Sequence, residues 1–417
     1  MLKKFKTKDT ILLALILCMF NLSCKEKKII PKEKINFSNN IVVGADRFRK
    51  YISLVKDKKI AVVANQTSIV KSNTVFIKNG EEIFSFINIH LVDFLLSRKM
   101  KVQKVFAPEH GFRGKADAGE HVKNGIDSKT KLPIISLYGK NKKPTSKQLK
   151  GIETIIFDIQ DVGVRFYTYI STLHYIMEAC AENNISLIVL DRPNPNAHYI
   201  DGPILEKENR SFVGMHNVPV VYGMTIGEYA KMINGENWLP NNLKCNLTVI
   251  SLQNYTHQTK YDLPIKPSPN LPNAKAINLY PSLAFFEGTN ISCGRGTEKQ
   301  FQVFGSPFLP KEKYAFTFTP KPNFGSKHPK HNGKICFGKN LTNELYLNQL
   351  NLSYLIHAYK DSKDKTTFFN NFFTKLAGTK KLQKQIENGL SETEIRSTWQ
   401  KELEHFKEIR KKYLLYE

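Results

Sequence analysis

Five short, largely uninterrupted runs of β-branched and aliphatic residues constrain this chain more than any other feature. They are Ile60–Ala64 (IAVVA), Val102–Ala107 (VQKVFA), Thr154–Ile159 (TIIFDI), Ser186–Leu190 (SLIVL) and Leu247–Leu252 (LTVISL). Amphipathic helical stretches lie among them at His90–Met100, Tyr167–Asn183 and Thr225–Asn234, the last opening with Thr225 and Glu228 at capping-box spacing. A strand that is apolar on both sides needs cover on both sides, and helices between such strands supply it. The pattern predicts an α/β chain built on a Rossmann-like parallel sheet. Ligands of such sheets collect at the carboxyl ends of the strands. Polar residues follow the predicted strands there: Asn65-Gln66-Thr67, Pro108-Glu109-His110-Gly111, Asp158 with Gln160 and Asp161, and Asp191-Arg192-Pro193-Asn194-Pro195. No GxGxxG follows the first run, so the sheet gives no reason to expect a dinucleotide, and no cofactor is expected.

A length of 417 residues fits roughly two domains. We read residues 45–258 as the Rossmann-like domain and 259–417 as a C-terminal domain, with the Pro-rich DLPIKPSPNLPN (262–273) at the crossing. The C-terminal part carries a Gly-rich segment, FEGTNISCGRGTEKQFQVFG (286–305). It ends in a predicted long amphipathic helix that opens with Ser391 and Glu394 and runs through Ile395, Trp399, Leu403, Phe406 and Ile409.

The amino terminus reads as an address. Lys3, Lys4, Lys6 and Lys8 precede the apolar run ILLALILCMF (11–20), which is too short to span a bilayer and fits a signal peptide. Ser23-Cys24 then resembles a lipobox, with residues 1–23 removed and Cys24 lipidated; Asn21 departs from the usual Leu, and ordinary signal-peptidase cleavage is the alternative. Residues 24–44 read as a basic tether, which predicts an exported, membrane-anchored lipoprotein of the periplasm or cell envelope. Cys180, Cys245, Cys293 and Cys336 are widely spaced with no CxxC, so no zinc site is implied and any disulfide pairing stays open. The formal net charge of +25 first suggests nucleic acid. The cations are mostly Lys spread along the chain, without helix-turn-helix, zinc-finger or RNP-like spacing, and export argues against that partner.

Four segments carry candidate chemistry. In FAPEHGFRG (106–114), Glu109 follows a buried strand and a Pro, which puts its carboxyl in a partly dry cleft, the setting of a general acid. His110 beside it is a binding candidate; the plainer alternative for Glu109 is an ion pair with Arg113. FDIQDVGVRFYTYIST (157–172) groups Asp158, Gln160, Asp161, Arg165, Tyr167 and Tyr169. Carboxylates and amides for hydroxyls, aromatics for an apolar ring face and Arg for an acid group are what a sugar site requires. In DRPNPN (191–196) the prolines stiffen a turn bearing Asp191, Arg192 and Asn194, as fitting for a structural turn as for a binding loop. In the Gly-rich segment, Glu287, Asn290, Ser292 and Arg295 are possible contacts.

Taken together, APEHGFRG, TIIFDIQDVGVRFYTYISTL, LDRPNPN with DGPILE, FVGMHNVPVVYGMTIGEYA, PSPNLP and EGTNISCGRGTEKQFQVFGSP resemble the exo-β-N-acetylmuramidase family of glycoside hydrolase family 171. The C-terminal EIRSTWQKELEHFKEIRKKYLLY is similar to the family's closing helix, and the resemblance runs from about residue 41 to 417. It implies a catalytic Rossmann-like parallel-sheet domain followed by a smaller α/β C-terminal domain that completes the cleft, release of N-acetylmuramic acid from non-reducing ends of peptidoglycan fragments, with muropeptides or disaccharides as substrates, and the PEHG glutamate, Glu109, as catalytic residue. Asp158 or Asp161 is then the candidate second carboxylate, unless the substrate's own 2-acetamido group attacks. Arg165 or Arg295, and less so His110, is the candidate partner of the lactyl carboxylate. The competing readings are a non-catalytic cell-wall sugar-binding lipoprotein and a metal- or esterase-type cell-wall hydrolase.

Overall fold

A computed structural model describes residues 41–78, 81–114 and 124–417. The signal segment 1–23, Cys24, most of the tether and His121 lie outside the described residues. Residues 41–417 form one compact unit.

The main sheet has seven strands: β1 (Lys59–Ala64), β4 (Lys101–Ala107), β5 (Gly125–Ile126), β6 (Pro133–Ser136), β7 (Thr154–Asp158), β8 (Ser186–Leu190) and β9 (Leu247–Ile250). Their spatial order is β5-β6-β4-β1-β7-β8-β9, and every pairing is parallel except that of β5 with β6. An antiparallel ribbon, β2 (Ile69–Lys78) and β3 (Glu81–His90), is inserted between β1 and β4. The chain starts at β1, builds outward through β4 and β6, then returns to β7 on the other side of β1. That reversal makes a doubly wound sheet with its switch point beside β1. The five runs read from the sequence are β1, β4, β7, β8 and β9.

The strands are apolar throughout because the sheet separates two cores. Ala61, Val63, Phe106, Ile155, Phe157, Leu187 and Val189 face one core. Ile60, Val62, Ala64, Val105, Ile156, Ile188 and Leu190 face the other. Alternate residues of one strand thus bury on opposite sides. The first core is shared with helices α3 (Tyr169–Glu182) and α4 (Ile226–Gly235) and with much of the C-terminal chain. The second is covered by α1 (Phe48–Val55) and α2 (Leu91–Ser97). The capping box at Thr225 and Glu228 is formed, satisfying two backbone donors of α4.

The C-terminal part packs α5 (Ala274–Leu283), α6 (Ser353–Asp361), α7 (Phe372–Ala377) and α8 (Lys381–Glu387) around a small antiparallel sheet. That sheet holds β10 (Val303–Ser306), β11 (Phe316–Phe318) and β12 (Cys336–Asn340) in the order β10-β12-β11. The single long closing helix expected from Ser391 is two helices, α9 (Glu392–Ser397) and α10 (Gln400–Lys411). The chain leaves helical geometry at Trp399 (φ −111°, ψ 0°), and Ile395, Trp399, Leu403 and Phe406 all lie in the same core.

Candidate active site

Strand β4 ends at Ala107, and the next residues make a turn closed by the Gly111 N–H donating to the Pro108 carbonyl at 3.0 Å. His110 sits in the left-handed region at φ 70° and Gly111 at 75°. A non-glycine residue there costs about 1–2 kcal/mol, so the surrounding packing must hold it, and the imidazole is indeed buried. The turn aims the half-buried Glu109 side chain into a cavity of about 590 Å³. The walls come from segments that follow β4, β6, β7 and β9: Glu109 and His110, Tyr138, Phe166–Thr168, and Ser268 with Asn270 and Leu271. The C-terminal part adds Glu287, Arg295, Phe301, residues 325–328, Phe372 and Leu376.

The Glu109 carboxylate accepts a hydrogen bond from the Thr168 hydroxyl at 2.7 Å, and the Tyr138 hydroxyl bonds it as well. Burial and the nearby Glu109 charge push the Tyr138 pKa up, so its proton stays available as a donor. Thr168 is the N-cap of α3, so the carboxylate stands at the positive end of a 14-residue helix. Under it, the Tyr167 hydroxyl donates to the Pro267 carbonyl at 2.9 Å, and Asn65 Nδ2 donates to the Tyr169 hydroxyl at 2.9 Å. Pro267 thereby ties the PSPNLP segment to the start of α3.

On the facing wall, Arg295 Nε donates to Glu287 Oε1 at 2.5 Å. Burial, the largest single influence, lowers the Arg295 pKa, but Glu287, with Cys293 and Tyr280, together outweigh it and the net shift is upward. The guanidinium also lies over the Phe301 ring, 5.1 Å from its centroid. Behind this pair the Lys330 ammonium donates to the carbonyls of Phe286, Thr289 and Ile291, fixing the loop that carries Glu287. The cavity is therefore lined by two carboxylates, a guanidinium, Tyr and Phe rings and several amide and hydroxyl groups. That set suits a sugar bearing an acid group. Among the described residues, no three His, Cys, Asp or Glu side chains converge on a metal-sized site.

Of the residues singled out in the sequence, Glu109, His110, Tyr167, Glu287 and Arg295 line this cavity. The rest are used underneath or beside it. Asp158, fully buried, forms a two-point ion pair with Arg192 (2.6 and 2.9 Å). Asp161 accepts from the Gly163 N–H at 2.6 Å and from the Tyr222 hydroxyl, and burial pushes its pKa up to about 6. Neither carboxylate reaches the cavity wall, which is a correction to their role as second carboxylate. Arg165 corrects another expectation. Its fully buried guanidinium donates to the carbonyls of Pro203, Val218, Leu376 and Ala377 (2.7–3.0 Å), so it joins chain segments instead of facing substrate.

The remaining binding candidates are also held by the fold. Asn65 forms a turn in which its Oδ1 accepts from the Thr67 N–H and hydroxyl. Gln160 Nε2 donates to the carbonyls of Asp161 and Pro193. Asp191 caps the start of α4 through Thr225 and Gly227 and accepts from the Tyr416 hydroxyl; burial pushes its pKa up to about 7. Asn194 lies against Gly163 (φ 75°), where an added Cβ would come within 2.2 Å of its amide. Asn290 Nδ2 donates to the Asp364 carbonyl at 3.4 Å. Arg113 pairs with Asp127 and Asp93, leaving Glu109 to the cavity. The four described cysteines are buried free thiols.

Sequence reasoning missed Tyr138, Thr168, Ser268, Asn270, Tyr280 and the 325–328 loop. Ser268 and Asn270 were in view within PSPNLP, but proline content made that segment look like a mere crossing. Nothing local marks Tyr138 or residues 325–328, whose value lies in where distant chain brings them.

The family description "Exo-beta-N-acetylmuramidase NamZ, N-terminal" matches residues 60–275, and its C-terminal counterpart matches residues 278–416. The chain is 38% identical over 390 residues to the peptidoglycan beta-N-acetylmuramidase NamZ of Bacillus subtilis, covering 88% of this chain and 89% of that one. Two crystal structures of DUF1343 family proteins from Bacteroides fragilis are similar. One has a TM-score of 0.80 at 44% identity, covering 91% of this chain and 99% of its own; the other has 0.73 at 27%, covering 90% and 99%. With both halves matched and a glutamate-bearing, sugar-sized cavity between the segments they contribute, this chain belongs to the NamZ family of exo-β-N-acetylmuramidases.

Proposed function

We propose that the protein is an exo-acting glycosidase that releases N-acetylmuramic acid from the non-reducing ends of peptidoglycan fragments, with Glu109 as the general acid. The observation that carries this reading is the Glu109 carboxyl, held by Thr168 and Tyr138 at the wall of a cavity of sugar size. Those hydroxyls fix the carboxyl without blocking it. Its proton passes to the glycosidic oxygen as the bond to the anomeric carbon breaks, so the leaving sugar departs as a neutral alcohol. Among the described residues, Glu287 is the other carboxylate on the wall. Either it directs water to the opposite face of the sugar, or the substrate's 2-acetamido oxygen attacks and Glu287 orients it. Proton NMR of the first-formed product anomer separates inversion from retention.

Arg295 replaces Arg165 as the partner of the lactyl carboxylate. It lines the cavity, is oriented by Glu287, and offers a planar pair of donors that matches a carboxylate. Arg295→Ala is expected to raise KM for an aryl N-acetylmuramide by about 10-fold or more, and for the matching N-acetylglucosaminide much less, since the latter has no acid to leave unpaired. Steady-state kinetics on the two glycosides check this, and equal effects remove Arg295 from the lactyl site.

Export and lipidation at Cys24 belong to the same proposal. Lys-rich residues ahead of an apolar stretch and the Ser23-Cys24 pair support it. Cys24→Ser should move the protein from the membrane to the soluble fraction and abolish incorporation of labelled fatty acid. Unchanged fractionation would refute the anchor.

A further inference from the structure

Beyond the catalytic cavity lies a second pocket of about 510 Å³, and Phe212 lines both. Phe212 sits at the tip of a tight turn in which Ser211 and Gly214 exchange backbone hydrogen bonds at 2.8 and 3.1 Å. Its ring is flanked on one side by Tyr138, 6.3 Å away and tilted by 58°, and on the other by Tyr175, 6.3 Å away and stacked within 18°. Tyr138 bonds Glu109, so an unbroken aromatic row leads from the catalytic carboxyl into the second pocket. Lys142 Nζ stands 4.6 Å from the Phe212 ring centroid. Arg210, at the pocket wall, is oriented by Nη2 donating to Asn217 Oδ1 at 2.6 Å. Trp238 closes the far side, stacked on His216 at 4.4 Å.

The row follows α3 from its N-cap, Thr168, to Tyr175, seven residues and about 10 Å along the axis. That is too far for a sugar whose glycosidic bond lies at Glu109. It is the direction open to the rest of a glycan. The Tyr138, Phe212 and Tyr175 rings are only half-buried, aromatic surface of this kind suits the C–H groups of pyranoses, and a neighbouring guanidinium suits a carboxylate. We propose that the Tyr138–Phe212–Tyr175 row, with Lys142 and Arg210, binds the leaving portion of the glycan, and that Arg210 holds the lactyl carboxylate of its next N-acetylmuramic acid. The proposal rests on Glu109 marking the scissile bond. It makes the enzyme one that prefers oligosaccharides to short glycosides.

The test compares an aryl N-acetylmuramide, which has no sugar beyond the scissile bond, with a peptide-free trisaccharide in which N-acetylglucosamine is flanked by two N-acetylmuramic acids. Arg210→Ala and Tyr175→Ala should each raise KM for the trisaccharide about 10-fold and change KM for the aryl glycoside less than about 2-fold. Arg210→Lys should recover part of the loss. Matching changes on both substrates, or no change on either in variants with wild-type thermal midpoints, overturn the proposal. A cost seen only when the trisaccharide bears a peptide stem assigns Arg210 to the stem and overturns the sugar assignment. Calorimetric titration of the trisaccharide into wild type and Arg210→Ala reads the row independently of turnover. If wild type cleaves neither substrate, the glycosidase reading falls. Titration then decides the row alone: weaker binding by Arg210→Ala retains it as a glycan site, and equal binding rejects it.

Discussion

Glu109→Gln should lower kcat on a disaccharide with N-acetylmuramic acid at its non-reducing end by about 10²–10⁴-fold, the usual contribution of a positioned general acid. Gln keeps the shape of Glu, and its carbonyl oxygen still accepts from the Thr168 hydroxyl that now bonds Oε2. Thermal stability should therefore change little, and the loss should fall on kcat. The size of the loss should follow the leaving group. A 2,4-dinitrophenyl leaving group needs little protonation and should recover much of the rate, whereas a sugar leaving group should not. Stopped assays on the two glycosides, with a melting curve for each variant, check both parts. Near wild-type turnover of the disaccharide by Glu109→Gln would remove Glu109 from the acid role.

Arg165→Met should be the most destabilising single change among the sequence candidates. The side chain is fully buried, and its guanidinium supplies donors to four backbone carbonyls on three separate stretches of chain. Burial without a carboxylate against it pulls its pKa down, but Met supplies no donor at any protonation state. Four carbonyls left without this partner at about 1 kcal/mol each give a loss of about 4 kcal/mol. Gly378 lies against the same guanidinium, so there is little room for another side chain to move in. Denaturant unfolding monitored by tryptophan fluorescence reads the loss. In the folded fraction, KM for muramide and glucosaminide should shift alike. A variant of normal stability that had lost only its preference for the muramide would return Arg165 to the substrate.

The contrast between Glu109 and Arg165 shows how far the chain could be read unaided. Both stand just past a strand end, where polar residues draw attention. Glu109 is turned outward by a local device, the Pro108–Gly111 turn with His110 at positive φ, and four consecutive residues carry that information. Arg165 is turned inward by carbonyls at residues 203, 218, 376 and 377, none of them near it in sequence. Asp158 went the same way, since its ion pair depends on Arg192 lying across β7 and β8. Arg295 could be named as a candidate but not ranked above Arg165, because its partner Glu287 is near it in sequence while the cavity opposite comes from the other half of the chain.

What the sequence determined alone is whatever short-range physics specifies. Apolar runs that demand cover on both faces fixed the doubly wound sheet, and the spacing of Thr225 from Glu228 fixed a helix start. The order of motifs was enough to indicate the family. Only the tertiary structure decided which charged groups face the cavity and which are consumed in holding it. A buried charge must find its partners wherever the fold brings them, and those partners here lie up to 212 residues away. The same holds for Tyr138, Phe212 and Tyr175, aligned as a row by three separate segments that nothing in the one-dimensional pattern connects.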